Sequence, residues 1–399
     1  MRTLPSVVMI FCSLLAADYS VSSQTWTETD APTNYYWRSI VSSADGSKLA
    51  ASGSGPAFSA IYTSTNSGAT WISNAEPNGP YPSFQSAFLA ASADGTQLVT
   101  AVFHYGSIST STNWGLSWAG RTNYSDTFWS SAASSADGRI LVLSDQSDYI
   151  YISTNSGATW NVSRLPNHGF FPSYASLSAN GDFLVTAAIG GGIYSTTNFG
   201  ASWVTNSLSL YWEGIASSVD GMKLVLVAQT GQIYTSTDSG ATWVQQTNAP
   251  ALPWTSVASS ADGTKLVAVS GGSVGSSGPI YTSTDSGITW ISNNAPILMW
   301  NWVACSADGN KLFAASFTNG IWAAQMIPTP QLNVGSLNIN LLFSWIIPST
   351  NFVLQQNLDL TTTDWMILTN TPTLNLSNLN DEVVLSPSNN RGFFRLVAQ

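Results

Sequence analysis

Charge is what this sequence has least of. Only 8% of its 399 residues are Asp, Glu, Lys or Arg, and 21 acids against 11 bases leave a formal charge of −10. Nucleic acid and anionic membrane surfaces are gripped by clustered cations, so a few scattered bases exclude both as main partners. A disordered chain needs high charge and low hydrophobicity, whereas 44% of this one is hydrophobic and 12% aromatic. Histidine is confined to His104 and His168, and no Cys/His set with metal-ligand spacing exists, so neither a metal nor another cofactor is expected. Asp145-Gln146-Ser147-Asp148 lacks the glycine turn and ligand count of a calcium loop. No Gly-x-Ser-x-Gly nucleophile elbow occurs, and no segment carries helical periodicity.

Cysteine is nearly as scarce. Cys12 falls in an N-terminal stretch that reads as an export signal over residues 1–23: Arg2, an apolar run from Leu4 to Ala17, then small residues at Val21, Ser22 and Ser23. The run is too short to span a bilayer, and no membrane span is expected elsewhere. The setting read from this is secreted, extracellular or periplasmic. Cys305 is then the sole mature cysteine, which rules out an intramolecular disulfide and suits a buried, inert thiol.

What the chain does have is repetition. Ser236-Thr237-Asp238-Ser239-Gly240-Ala241-Thr242-Trp243 recurs at Ser64 to Trp71, Ser153 to Trp160 and Ser283 to Trp290, with looser copies at Ser111 to Trp118 and Thr196 to Trp203. Equivalent glycines lie 40 to 47 residues apart, a period that points to a propeller or solenoid. Asp238 and its counterparts Asn66, Asn113, Asn155, Asn198 and Asp285 are expected to fold back on backbone N–H groups two residues on. Gly240 would supply the positive φ of a hairpin, and Trp243 an apolar face for the next unit. Short strands such as Ile233-Tyr234-Thr235 precede the boxes. The pattern resembles the Asp-box (bacterial neuraminidase) repeat of sialidases, secreted glycosidases, non-enzymatic propellers and photosystem assembly factors. The resemblance implies that the boxes are fold elements, on the face away from any active site.

A second repeat runs out of phase. Asp-Gly or Asn-Gly turns stand at Asp45, Asp94, Asp137, Asn180, Asp220, Asp262 and Asp308, seven against six boxes. Eight residues before five of them is a tryptophan: Trp37, Trp129, Trp212, Trp254 and Trp300. One unit thus reads as four strands, for example Trp254 to Ser260, Thr264 to Ser270, Pro279 to Ser283 and Thr289 to Asn293. Thr25-Trp26 precedes Trp37 at the separation that Thr242-Trp243 precedes Trp254. The N-terminal strand is therefore expected to complete the seventh unit and remove its open edge. The fold class is all-β: a seven-bladed β-propeller over 24–326, a linker over 327–331, and a small β-sandwich-like module over 332–399.

Function is expected on the face opposite the repeated turns, where irregular loops ride on a rigid scaffold. Aromatic candidates for a ligand there are Tyr81, Tyr124, Phe170, Phe171 and Trp212, with Arg121 as a cation. Acids outside the repeats are few: Glu76, Asp126, Asp145, Asp148 and Glu213. A glycosidase needs two carboxylates about 5–9.5 Å apart, which makes Asp126, Asp145, Asp148 and Glu213 the catalytic candidates. Sialidases resemble this chain in repeats only: the Arg-Ile-Pro signature is absent, and the propeller has Arg38, Arg121, Arg139 and Arg164 alone for the three arginines of that family. The reading is a monomeric, non-enzymatic binding or scaffold protein for a glycan or an extracellular protein. The alternative is a glycoside hydrolase or lyase.

Overall fold

The computed structural model describes residues 25–325 and 332–398, apart from 57–58, 75–86, 104–105, 125–126, 167–172, 272–275, 338–339, 347–351, 360, 363, 369–372, 376–379 and 386–392. The signal at 1–23 and the linker at 327–331 lie outside the described residues. The described chain falls into two compact units, residues 25–325 and residues 332–398.

The first unit is a β-propeller. It holds, among the described residues, seven four-stranded antiparallel sheets, six of them wound so that consecutive strands are neighbours. The sixth sheet is typical: Trp254–Ser259, Leu266–Ser270, Ile280–Ser283 and Ile291–Ser292. Its second strand is buried on both faces, which is why Leu266-Val267-Ala268-Val269 reads as an unbroken apolar run. Its fourth strand is exposed and short, as suits an edge. Trp254 packs with Val225 and Val227 of the fifth sheet as well as Ala268 of its own, so the core lies between sheets. The five in-register tryptophans are fully buried. Burying a tryptophan removes about 150–250 Å² from water, worth roughly 4–6 kcal/mol as an upper bound.

The innermost strands touch in sequence, and that of the seventh sheet (Trp300–Cys305) touches that of the first (Tyr36–Ser42). A circle of backbone hydrogen bonds follows the same path. The amide of Ala44 donates to the Ala93 carbonyl, Ala93 to Ala136, Ala136 to Ala179, Ala179 to Val219, Val219 to Ala261, Ala261 to Ala307, and Ala307 back to Ala44, all at 2.7–2.8 Å. Trp26–Glu28 is the fourth strand of the seventh sheet, paired Trp26 with Ala324 and Glu28 with Trp322. The Thr29 amide and Oγ1 both donate to the Ile321 carbonyl at 2.9 Å.

The box differs in detail from expectation. Asp238 Oδ1 accepts from the Thr242 amide, four residues on rather than two, at 2.9 Å. The reason is Ser236, whose Oγ takes the Gly240 amide and donates to Asp238, so the carboxylate is free to reach the start of the return strand. Both Ser239 (φ 57°) and Gly240 (φ 80°) are left-handed. Asn66, Asn113, Asn155, Asn198 and Asp285 repeat the four-residue reach. The two-residue bond belongs to the other turn, where the Ser47 amide donates to Asp45 Oδ1.

The second unit holds a four-stranded sheet (Asn333–Leu337, Asn340–Ile346, Asn380–Leu385, Thr373–Asn375) and a three-stranded one (Met366–Ile367, Phe352–Asn357, Phe393–Ala398). Phe343 of one meets Phe394 of the other at 4.5 Å between ring centres, with Leu354 and Val383 in the same core. This is the sandwich-like arrangement expected.

Candidate functional site

Innermost strands enter from the irregular face and leave through the Asp-Gly turns, so their first residues ring the mouth of the propeller axis on the irregular side. In the five sheets whose innermost strand carries the in-register tryptophan, a β-bulge follows it. A bulge inserts an unpaired residue and re-aims its side chain. The bulged residues are Arg38, Ser130, Glu213, Thr255 and Asn301. Three of these do one job. Ser130 Oγ donates to the Ser173 carbonyl, Thr255 Oγ1 to that of Trp300, and Asn301 Nδ2 to that of Trp37, at 2.9–3.0 Å, each tying its sheet to the next. Arg38 and Glu213 break the series with charge.

Glu213 Oε2 accepts a 2.9 Å hydrogen bond from the Tyr174 hydroxyl of the fourth sheet. Burial raises the Glu213 carboxyl above its usual range, with the tyrosine bond partly opposing. Burial and then the Glu213 charge hold the Tyr174 phenol well above its own. The Arg38 guanidinium lies over Phe88 at 5.0 Å and Phe103 at 4.9 Å, a doubly aromatic seat for a cation. Its Nε is buried without a hydrogen-bond partner, and among the described residues no carboxylate pairs with it. Burial lowers its pKa, with Tyr174 next in influence. Trp302 of the seventh sheet meets Phe88 of the second at 6.2 Å and Tyr174 of the fourth at 6.4 Å. Those sheets are not neighbours, so Trp302 reaches across the middle of the ring. Trp302, Phe88 and Tyr174 thus meet near the axis, and among the described residues Arg38 and Glu213 bring a cation and a protonatable acid to them.

Of the residues expected to act, Glu213 belongs to this cluster. Trp212 does not: its indole is fully enclosed and presents no face to solvent, because it packs between sheets like its four counterparts. Asp145 is buried, and its Oδ1 accepts the Ser147 and Tyr149 amides, so it caps its own loop. Asp148 is buried in the same loop at φ 72°, 3.9 Å from the exposed Arg164. Tyr124 is half-buried, edge-on to Tyr151 at 4.8 Å. Arg121 is on an outer strand, its Nε donating to Thr110 Oγ1 at 2.7 Å, away from the axis. Tyr81, Asp126, Phe170, Phe171, Glu76, His104 and His168 lie outside the described residues. Burial, with Asp308 adding to it, pushes the Cys305 thiol up to about 12, so it stays protonated and unreactive at neutral pH. Arg38, Phe88, Tyr174 and Trp302 were not among the candidates. Arg38 had a sequence signal, the residue after each in-register tryptophan, which is neutral at three positions and charged at Arg38 and Glu213; Phe88, Tyr174 and Trp302 had none.

No family model matches the chain, and no curated protein matches it in sequence. Solved structures resemble it in fold. YCF48 from Cyanidioschyzon merolae aligns with a TM-score of 0.58 at 14% identity, covering 75% of this chain and 98% of that one. A structure of YCF48 bound to D1 peptide aligns at 0.55 and 13% identity, covering 78% and 99%. The GH74 xyloglucanase from Xanthomonas campestris aligns at 0.58 and 14% identity, covering 81% of this chain and 59% of that one. Both proteins are β-propellers, and at such identity the likeness concerns the fold alone.

Proposed function

We propose that this chain is an extracytoplasmic binding propeller that takes a protein segment or a glycan at the irregular-face mouth of its axis. The observation that carries the reading is the pair of charged bulge residues, Arg38 and Glu213, where Ser130, Thr255 and Asn301 bind the next sheet instead. A guanidinium kept in an aromatic seat with its Nε unpaired costs stability. Such a cost is commonly met where a ligand will complete the bonding. That a protein of the same fold holds a peptide fits this use of the scaffold.

A hydrolytic reading is less well supported. Glu213, with its raised pKa, has the character of a general acid, but its described partner is a tyrosine, and Asp145 is committed to its turn. The test is a glycan array and a library of unstructured peptides, probed with the wild type, Arg38→Gln and Glu213→Gln. A ligand selected by the wild type should lose about tenfold or more in affinity, ~1.4 kcal/mol, in each variant. Unchanged affinity in both would remove the axial mouth from the account.

A further inference from the structure

A separate cavity opens where the first and last sheets meet. It has a volume of about 390 Å³ and is lined by Thr33, Asn34, Tyr35, Tyr36, Gly55, Pro56 and Thr318. These come from three stretches: the segment after the N-terminal strand, a loop of the first sheet, and the loop between Lys311–Ser316 and Ile321–Gln325 of the seventh. Thr318 brings the seventh sheet to a lining otherwise made by residues 33–56, so the full lining is assembled where the two sheets meet. Its volume is in the range of small-molecule sites, roughly 300–1,000 Å³.

The lining is aromatic and neutral. Tyr35 is buried, stacked on Trp37 at 5.6 Å and edge-on to Tyr62 at 5.3 Å, so its ring is fixed. Tyr36 is exposed and leans on Phe317 at 4.9 Å. Gly55 makes room for this arrangement, because a Cβ there would stand 2.6 Å from Tyr35 Cζ. Around the rings are the hydroxyls and amide of Thr33, Thr318 and Asn34, and among the described residues none of the lining is charged. A ligand that matches must show an apolar face to a ring and hydroxyls to the rim, without charge to desolvate.

We infer that this seam cavity binds a neutral pyranose sugar, of one or two rings, and that the sugar clamps the closure made by the N-terminal strand. The lining shares no residue with the axial cluster. A ligand that binds only the closed ring stabilises it by mass action. The closure it favours is the one held by Thr29 on Ile321.

The test uses the full chain with cellobiose, lactose, maltose and methyl α-mannopyranoside, and glucuronic acid as the charged control. At least one neutral sugar should give saturation-transfer NMR signals and raise the melting temperature by about 2–4 °C at concentrations far above its Kd. The same sugar should slow amide exchange across Trp26–Glu28. Tyr36→Ala should remove all three effects, each read against the same variant without sugar. Gly55→Ala, which displaces Tyr35, should weaken binding by about tenfold or more. Arg38→Gln should leave sugar binding intact, separating this site from the axial one. No binding by any neutral sugar, binding that survives both Tyr36→Ala and Gly55→Ala, or preference for glucuronic acid would each overturn the inference.

Discussion

The two faces of the propeller are built from the same strands and solve opposite problems. On the face of the Asp-Gly turns everything repeats. In all seven turns a buried serine donates to the Asp or Asn two residues on, at 2.5–2.7 Å. It also accepts the amide five residues on, at 2.9–3.0 Å. All four lysines of the chain, Lys48, Lys223, Lys265 and Lys311, occupy one repeat position there. The Lys48 stem covers Gly95 of the next sheet, where a Cβ would lie 2.6 Å from Lys48 Cδ and φ is +63°. Its Nζ donates to the Gly95 carbonyl at 2.9 Å. The serine bonds hold each turn together, and the lysine bonds with the ring of turn amides hold sheet to sheet. At the axial mouth, Arg38 and Glu213 stand where such ties to the next sheet would be: Glu213 instead accepts from Tyr174 of the preceding sheet, and the Arg38 Nε is buried without a hydrogen-bond partner among the described residues. One face repeats a single set of bonds, and the other breaks its series at two charged residues.

That contrast can be broken most severely at the closure. Removing residues 24–29 should leave a chain that aggregates or melts far earlier, as read by thermal melting. The point version, Trp26→Ala, takes out a buried ring packed on Trp300 at 6.3 Å and should cost about 3–5 kcal/mol in chemical denaturation. An unchanged melt would mean that the strand does not close the ring. Next in size, Ser260→Ala deletes a buried hydroxyl that serves Asp262 and Lys265, with an expected loss of about 1–3 kcal/mol.

A pH series sharpens the comparison. Hydrogen bonds from serine hydroxyls and turn amides hold Asp45 and Asp262 down to about 2. A depressed carboxyl contributes stability that is complete above its unfolded pKa, near 4, and is lost as pH falls through about 2. Glu213 has the opposite sign: its raised pKa contributes stability below the unfolded value that is lost as pH rises through the folded one. Glu213→Gln, which can still accept from Tyr174, should therefore melt a few degrees higher than wild type at pH 7, with the gap closing below about pH 4. A gap that is independent of pH would contradict the assignment. Smallest of all, Lys265→Gln loses exposed bonds to the Asp308 carbonyl and Asn310 and should cost less than about 1 kcal/mol.

The repeats made the scaffold legible. Asp-Gly turns, boxes and in-register tryptophans placed the strands of each sheet, and the Thr25-Trp26 spacing placed the closing strand. Periodic features are legible because each copy reports the same packing demand. The box hydrogen bonds were misplaced by two residues because Ser236 and Asp238 compete for the same amides, which spacing alone does not resolve. The site was legible in one residue, Glu213. Tyr174, Phe88 and Trp302 come from sheets far apart in sequence, and only the ring brings them together. Trp212 is an aromatic ligand candidate by sequence, but alternation along a strand puts adjacent side chains in different surroundings, and the indole is enclosed. The seam cavity needs both ends of the first unit at once, and no local pattern announces it.

The most direct test of the contrast between the faces is the affinity of one array-selected ligand for four proteins: wild type, Arg38→Gln, Glu213→Gln and the regular-face control Lys265→Gln. The account predicts losses of about tenfold or more in the two axial variants and less than about twofold in the control. Full affinity in both axial variants with a loss in Lys265→Gln would contradict it, and would place recognition on the face of the repeated turns.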